Sequence, residues 1–133
     1  MNMPHILLAE DNQSTAMMIR KILEAVGYPV TRVGNGRDAV DAAALHVFDL
    51  ILMDVRMPVM DGLTAIRQIR QAEAAAGEWP SRIYTVTTLG LPADIRAALD
   101  AGADGHIIKP LGPGLLLDAI ASIRPRKFHA AAT

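Results

Sequence analysis

Five short apolar runs, each followed by a stretch with helical spacing, recur along the chain, and this alternation constrains its fold more than any other feature. Residues 5–9 form the first run and end in two acids, Glu10 and Asp11. Ile19, Ile22, Leu23 and Val26 then fall at i, i+3, i+4 and i+7, the inward stripe of an amphipathic helix, with Asn12 or Ser14 as its cap and Gly27 as its stop. Residues 30–33 make a second run; Asn35-Gly36 signals a turn, and Ala39, Val40, Ala43 and Ala44 mark a second helix. Residues 49–53 make the third run, closed by Asp54, and Leu63, Ile66 and Ile69 begin a third helix that reaches through the alanine-rich stretch 72–76 to Gly77. Residues 83–87 predict a fourth strand, and Pro92 opens a fourth helix with Ile95, Ala98 and Leu99 inward and Gly102 past its end. Residues 106–108 predict a fifth strand; Leu116, Ala119, Ile120 and Ile123 mark a fifth helix that Pro125 terminates.

Strands alternating with helices in this way predict an α/β fold: one doubly wound, five-stranded parallel sheet with helices on both faces. The 133 residues suffice for a single domain, expected over 1–124, with 125–133 as a frayed C-terminal tail. A hydrophobic fraction of 51% against 20% charged residues rules out wholesale disorder. Absence of cysteine excludes a disulfide scaffold, thiolate metal sites and cysteine catalysis. A formal net charge of −1 and an aromatic content of 4% argue against a nucleic-acid partner. No apolar run is long enough for a membrane span, and the first residues carry no targeting pattern, so a cytoplasmic location is expected.

In open α/β sheets, ligands bind beyond the carboxyl ends of the strands, where strand order reverses. Here those ends carry Glu10-Asp11, Asp54, Thr87-Thr88 and Lys109-Pro110. A single acid at a strand end is commonly a helix cap. Acids, hydroxyls and a lysine at four strand ends are not explained by capping. If the first and third strands are neighbours, three carboxylates converge, and their repulsion is relieved by a cation. Hard oxygen donors with room for water suit Mg²⁺, which under such sparse protein ligation also takes phosphoryl oxygens. The lysine and a threonine hydroxyl at the same rim would supply donors to those oxygens.

These segments resemble the receiver domain of two-component response regulators. The resemblance is carried by Ile6-Leu7-Leu8-Ala9-Glu10-Asp11-Asn12, by the stretch from Asp49 through Asp54-Val55-Arg56-Met57-Pro58-Val59-Met60-Asp61-Gly62, by Gly102-Ala103-Asp104-Gly105 and by Lys109-Pro110, and it covers residues 5 to about 124. It implies a flavodoxin-like (βα)5 fold with strand order 2-1-3-4-5, and a phosphorylation-dependent switch rather than an enzyme, promoting its own phosphotransfer and dephosphorylation. Asp54 is implied as phosphoacceptor. Glu10, Asp11, Asp54 and the Arg56 carbonyl are implied to hold Mg²⁺, Glu10 through water. Lys109, the Thr87 hydroxyl and the Thr88 N–H are implied to contact phosphoryl oxygens. Strand alternation alone leaves Thr87 and Thr88 both open for the switch role; family spacing favours Thr87. The position usually held by Tyr or Phe on the fifth strand is His106, a departure that leaves signal transmission there open between a polar switch and a residue without a signalling role. The partner expected is a histidine kinase or histidine phosphotransfer domain, with no direct nucleic-acid binding and a monomeric state. The alanine-rich third helix and the long connection after it resemble receivers of hybrid kinases and phosphorelays.

Two other readings stand beside this one. A pseudo-receiver would bind partners without phosphorylation, but all the acids, Thr87 and Lys109 are present. A haloacid-dehalogenase-like phosphohydrolase would need an acid two residues beyond Asp54, where Arg56 stands. His5, His46, His106 and His129 show no metal-ligand spacing. Met17 is read as core or surface, Met18 as surface, and Trp79 as packing over a sheet edge. Arg124 to Lys127 are read as a solvated helix end. A tight bend after the fifth strand, and the resemblance, favour a cis Lys109-Pro110 bond. Met18 and Leu111 are the apolar candidates for docking a phosphodonor.

Overall fold

Capping and glycine chemistry decide where most elements begin and end. The computed structural model describes residues 5–88, 90–109 and 112–121. Its elements are β1 (Ile6–Ala9), α1 (Gln13–Ala25), β2 (Val30–Val33), α2 (Gly36–Leu45), β3 (Leu50–Asp54), α3 (Gly62–Ala76), β4 (Arg82–Thr87), α4 (Pro92–Ala101), β5 (Gly105–Ile108) and α5 (Pro113–Ala121). Asn12, rather than Ser14, caps α1: its side-chain oxygen accepts the Thr15 N–H at 2.9 Å. Asn35 and Asp61 cap α2 and α3 in the same manner. Gly77 and Gly102 close α3 and α4 in the left-handed conformation.

The five strands form one parallel sheet in the order β2-β1-β3-β4-β5, as expected. One face packs Ile6, Leu8, Leu50, Leu52 and Val86 against Ile19 and Leu23 of α1 and Leu116 and Ile120 of α5. The other packs Leu7, Ile51, Met53 and Ile83 against Ala39 of α2, Ile66 and Ile69 of α3 and Ala98 of α4. Because both faces are covered, β1 and β3 are buried throughout, which is why they read as unbroken apolar runs rather than alternating ones.

Register then sets the functional edge. Ala9 pairs with Met53, Asp54 with Val86, and Thr87 with Ile108, so the residues just beyond the first, third, fourth and fifth strands are neighbours at one end of the sheet. Two close backbone approaches hold the loop after β3. A Cβ on Gly62 would collide with the Asp54 carbonyl, and one on Gly36 with the carbonyls of Met60 and Asp61. Only glycine lets α3 start this near the end of β3.

Several expectations are corrected. Val26 lies at the C-cap of α1 and is exposed, because the helix ends at Ala25 and the inward stripe ends with it. Ala44 faces solvent near the end of α2. Leu99 is 49% exposed: Ala98 and Ala101 meet the sheet, with Leu99 at the margin of that stripe. Of the two readings open for Met17, the structure takes the surface one, at 51% exposed, and Met18 is at the surface as expected. The fourth and fifth strands each begin one residue earlier than the apolar runs indicated. The Lys109-Pro110 bond, Leu111, Ile123, Pro125, the Arg124 to Lys127 group, His129 and the tail expected over 125–133 lie outside the described residues. Among the described residues, no helix is long and apolar enough to cross a membrane.

Candidate functional site

Glu10 follows β1 directly, Asp11 follows Glu10, and Asp54 is the last residue of the central strand β3. One carboxylate oxygen from each lies within 4.8 Å of the others, so the three acids predicted to converge do so. Glu10 is only 1% exposed and Asp54 7%, while Asp11 is open to solvent. Lys109, one residue past β5, spans the two buried acids: its Nζ is 2.9 Å from Glu10 Oε1 and 3.5 Å from Asp54 Oδ2. The Lys109 N–H donates to the Thr87 carbonyl at 2.8 Å, which draws the end of β5 to the end of β4.

The electrostatics are unbalanced. Burial, then the hydrogen bond and negative charge of Glu10, push the Asp54 carboxyl up from 3.8 to about 7; Lys109 and the Arg56 N–H pull it back only in part. Burial alone would lower the Lys109 ammonium, but Glu10 and Asp54 outweigh it, so Lys109 stands above its usual range and stays charged. Glu10 Oε2 accepts the Asn12 N–H at 3.2 Å. Glu10 Oε1 is buried, and what neutralises it is the ion pair with the Lys109 ammonium at 2.9 Å. A buried oxygen with spare acceptor capacity, facing two further carboxylates, fits a small hard cation.

Beside Asp54 a cleft of about 290 Å³ runs between the ends of β4 and β5 and α4, with Arg56, Thr87, Thr88, His106 and Lys109 among its walls. Thr87 is half-buried, and Thr88, Arg56 and His106 are exposed. The Arg56 N–H donates to Asp54 Oδ1 at 3.4 Å, the long limit for such a bond. Thr85, fully buried, lines the same cleft opposite His106 in the register and was not singled out from sequence. Strand alternation could have found it, since Thr85 shares a face with Thr87. Arg32 on β2 was also missed: its guanidinium donates to the Glu10 carbonyl from Nε at 3.0 Å and Nη2 at 2.7 Å, and to the Asp11 carbonyl at 3.3 Å. A basic residue within a short apolar edge strand was the available signal.

The family model of the response regulator receiver domain matches residues 6–121, and the chain belongs to that family. Receiver domains are phosphoacceptor switches of two-component signalling rather than enzymes of the ordinary kind. The chemotaxis protein CheY of Bacillus subtilis is 37% identical over 116 residues, covering 86% of this chain and 92% of that protein. The sensor histidine kinase GacS of Pseudomonas protegens is 34% identical over 117 residues, covering 88% of this chain; the chain spans only 13% of GacS. The receiver domain of the sensor histidine kinase PA1611 of Pseudomonas aeruginosa, solved with a magnesium ion coordinated in its active-site cleft, is 35% identical, with a TM-score of 0.80 over 90% of this chain and 95% of that one. The Saccharomyces cerevisiae Ssk1 receiver domain, solved with the histidine phosphotransfer protein Ypd1, is 27% identical, with a TM-score of 0.85 over 91% and 90%.

Proposed function

We propose that this domain takes a phosphoryl group from a phosphohistidine onto Asp54, with Mg²⁺ held by Asp11, Asp54 and the Arg56 carbonyl, and by Glu10 through water. The observation that carries the proposal is the convergence of Glu10, Asp11 and Asp54 within 4.8 Å, bridged on one side by Lys109. When bound, the cation supplies charge neutralisation for the acids and for phosphoryl oxygens. An Asp54 carboxylate oxygen attacks phosphorus; the new P–O bond forms as the P–N bond breaks, its electron pair returns to the donor imidazole, and Asp54 becomes an acyl phosphate. Lys109, already held between two carboxylates, pairs with a phosphoryl oxygen, while the Thr87 hydroxyl and Thr88 N–H donate from the cleft wall. Attack of water on the same phosphorus later returns the carboxylate and inorganic phosphate.

The donor expected is a histidine kinase or a histidine phosphotransfer domain, in keeping with the Ypd1 complex of the Ssk1 receiver. Arg56, exposed two residues past Asp54, supplies no acid for a phosphohydrolase cycle. Incubation with acetyl phosphate and Mg²⁺, followed by intact-mass measurement, is the direct test. One phosphoryl group per chain is expected, lost entirely on chelation or in Asp54→Asn. Labelling of that variant at the parent rate would sink the assignment.

A further inference from the structure

In an extended strand, successive side chains point to opposite sides and successive carbonyls do the same. Glu10 and Asp11 break that rule, because consecutive carboxylates reach one cluster with Asp54. The chain must therefore turn between β1, which ends at Ala9, and α1, which begins at Gln13. Two ends of this short connection are fixed by backbone and cap: the Glu10 N–H donates to the Val33 carbonyl at 3.1 Å, and Asn12 caps α1. Between them, the carbonyls of Glu10 and Asp11 both turn toward a single side chain, the guanidinium of Arg32. Arg32 reaches them from the adjacent edge strand, where it pairs in register with Leu8. Its planar fork matches two neighbouring carbonyls as a lysine ammonium would not.

We propose that Arg32 is a positioning residue for the divalent cation, holding the turned peptides of Glu10 and Asp11 so that both side chains face Asp54. This rests on the cation reading of the acid cluster. Charge and position make opposite predictions here. A guanidinium near a cation site repels the cation, so if charge dominated, removing Arg32 would tighten binding. If position dominates, removing it loosens binding, as loss of an orienting partner around a metal site does, by about 10-fold or more.

Calorimetric titration of the chain with Mg²⁺ separates the two. Arg32→Met keeps the apolar stem and removes the fork; its Mg²⁺ dissociation constant is expected to rise about 10-fold. Arg32→Lys, which keeps the charge but reaches fewer carbonyls, should fall between it and the parent and serves if Arg32→Met does not fold. Thr31→Ala, on the same strand, should bind as the parent does. Acetyl phosphate labelling of Arg32→Met should need about 10-fold more Mg²⁺ for half-maximal rate and recover the parent rate at saturation. Affinity within twofold of the parent, or tighter, in a folded Arg32 variant overturns the positioning role while leaving the cation reading intact. A parent chain that takes up no Mg²⁺ overturns both.

Discussion

Two charged clusters sit at opposite ends of the same parallel sheet, and they are built on opposite terms. At the amino ends of β4 and β5, Arg70 of α3 donates to the Gly102 carbonyl at 2.9 Å, to Glu73 and the Ser81 carbonyl at 2.8 Å each, and to Asp104 at 3.0 Å. The second Glu73 oxygen accepts both the N–H and the hydroxyl of Ser81, and Asp104 also accepts the Ile83 N–H. Both buried Glu73 oxygens thus have aligned donors. At the carboxyl ends, three carboxylates face one another, one lysine spans two of them, and Asp54 is driven to about 7. Backbone strain is divided the same way. Left-handed residues at the amino end are the glycines Gly27, Gly77 and Gly102, whereas in the connection between β3 and α3 the β-branched Val59 takes a φ of 69° while 83% exposed. The saturated cluster tethers α3 to the start of two strands; the unsaturated one leaves its negative charge only partly neutralised.

The largest expected effect comes from breaking the saturated cluster. Arg70→Met leaves Glu73 buried without its cation and should cost about 4 kcal/mol, with the melting temperature falling by about 10 °C or more. Mg²⁺ affinity of the folded variant should be unchanged, because the clusters share no partner. A comparable loss of Mg²⁺ binding would show that the two ends are coupled.

Breaking the unsaturated cluster should do the reverse. The folded Asp54 carboxyl is raised above its unfolded value, so the stability it contributes is full below about pH 3.8 and lost as pH rises through about 7. In metal-free protein, Asp54→Asn should therefore be more stable than the parent at pH 8, on the order of 3 kcal/mol. That advantage should shrink as pH is lowered from 8 to 5. Melting curves in chelator across that range check the sign; a constant gap would mean that Asp54 does not titrate within it.

The smallest effect concerns strain. Val59→Gly should stabilise the chain by ~0.5–1 kcal/mol, since glycine adopts this backbone conformation without steric cost. Chemical denaturation would detect it as a raised midpoint at constant slope. Gly77→Val, placing a branched side chain at a φ of 68° where no neighbour obstructs it, should lose a similar amount.

Much of this architecture was legible because burial on both sheet faces writes itself as uninterrupted apolar runs. The acids at 10, 11 and 54 were legible for the opposite reason: charges abut those runs with no cap to explain all of them. Helix margins were less readable. A stripe counted at i, i+3, i+4 and i+7 carries Val26 past the true end of α1, and it gives Leu99 the same weight as Ala98, although the small alanines are what let α4 approach the sheet. The arginines were least readable. Arg32 acts on backbone carbonyls, and Arg70 on two carbonyls as well as two carboxylates; every residue possesses a carbonyl, so those partners leave no trace in the side-chain pattern. Glu73 was hidden inside an alanine-rich stretch, because its burial depends on Arg70 and Ser81 closing over it.

The order of site residues along the chain also has a consequence in time. All three acids have been synthesised once residue 54 is joined, but the lysine that bridges two of them comes 55 residues later. At ~5–20 residues per second, a ribosome separates the two events by roughly 3–11 s. Throughout that interval the nascent chain has made the acids and not their lysine, so any pairing of β1 with β3 before residue 109 is joined brings the acids together without that counter-charge. On the proposed reading of the site, a divalent cation would supply the counter-charge that the lysine does not yet provide.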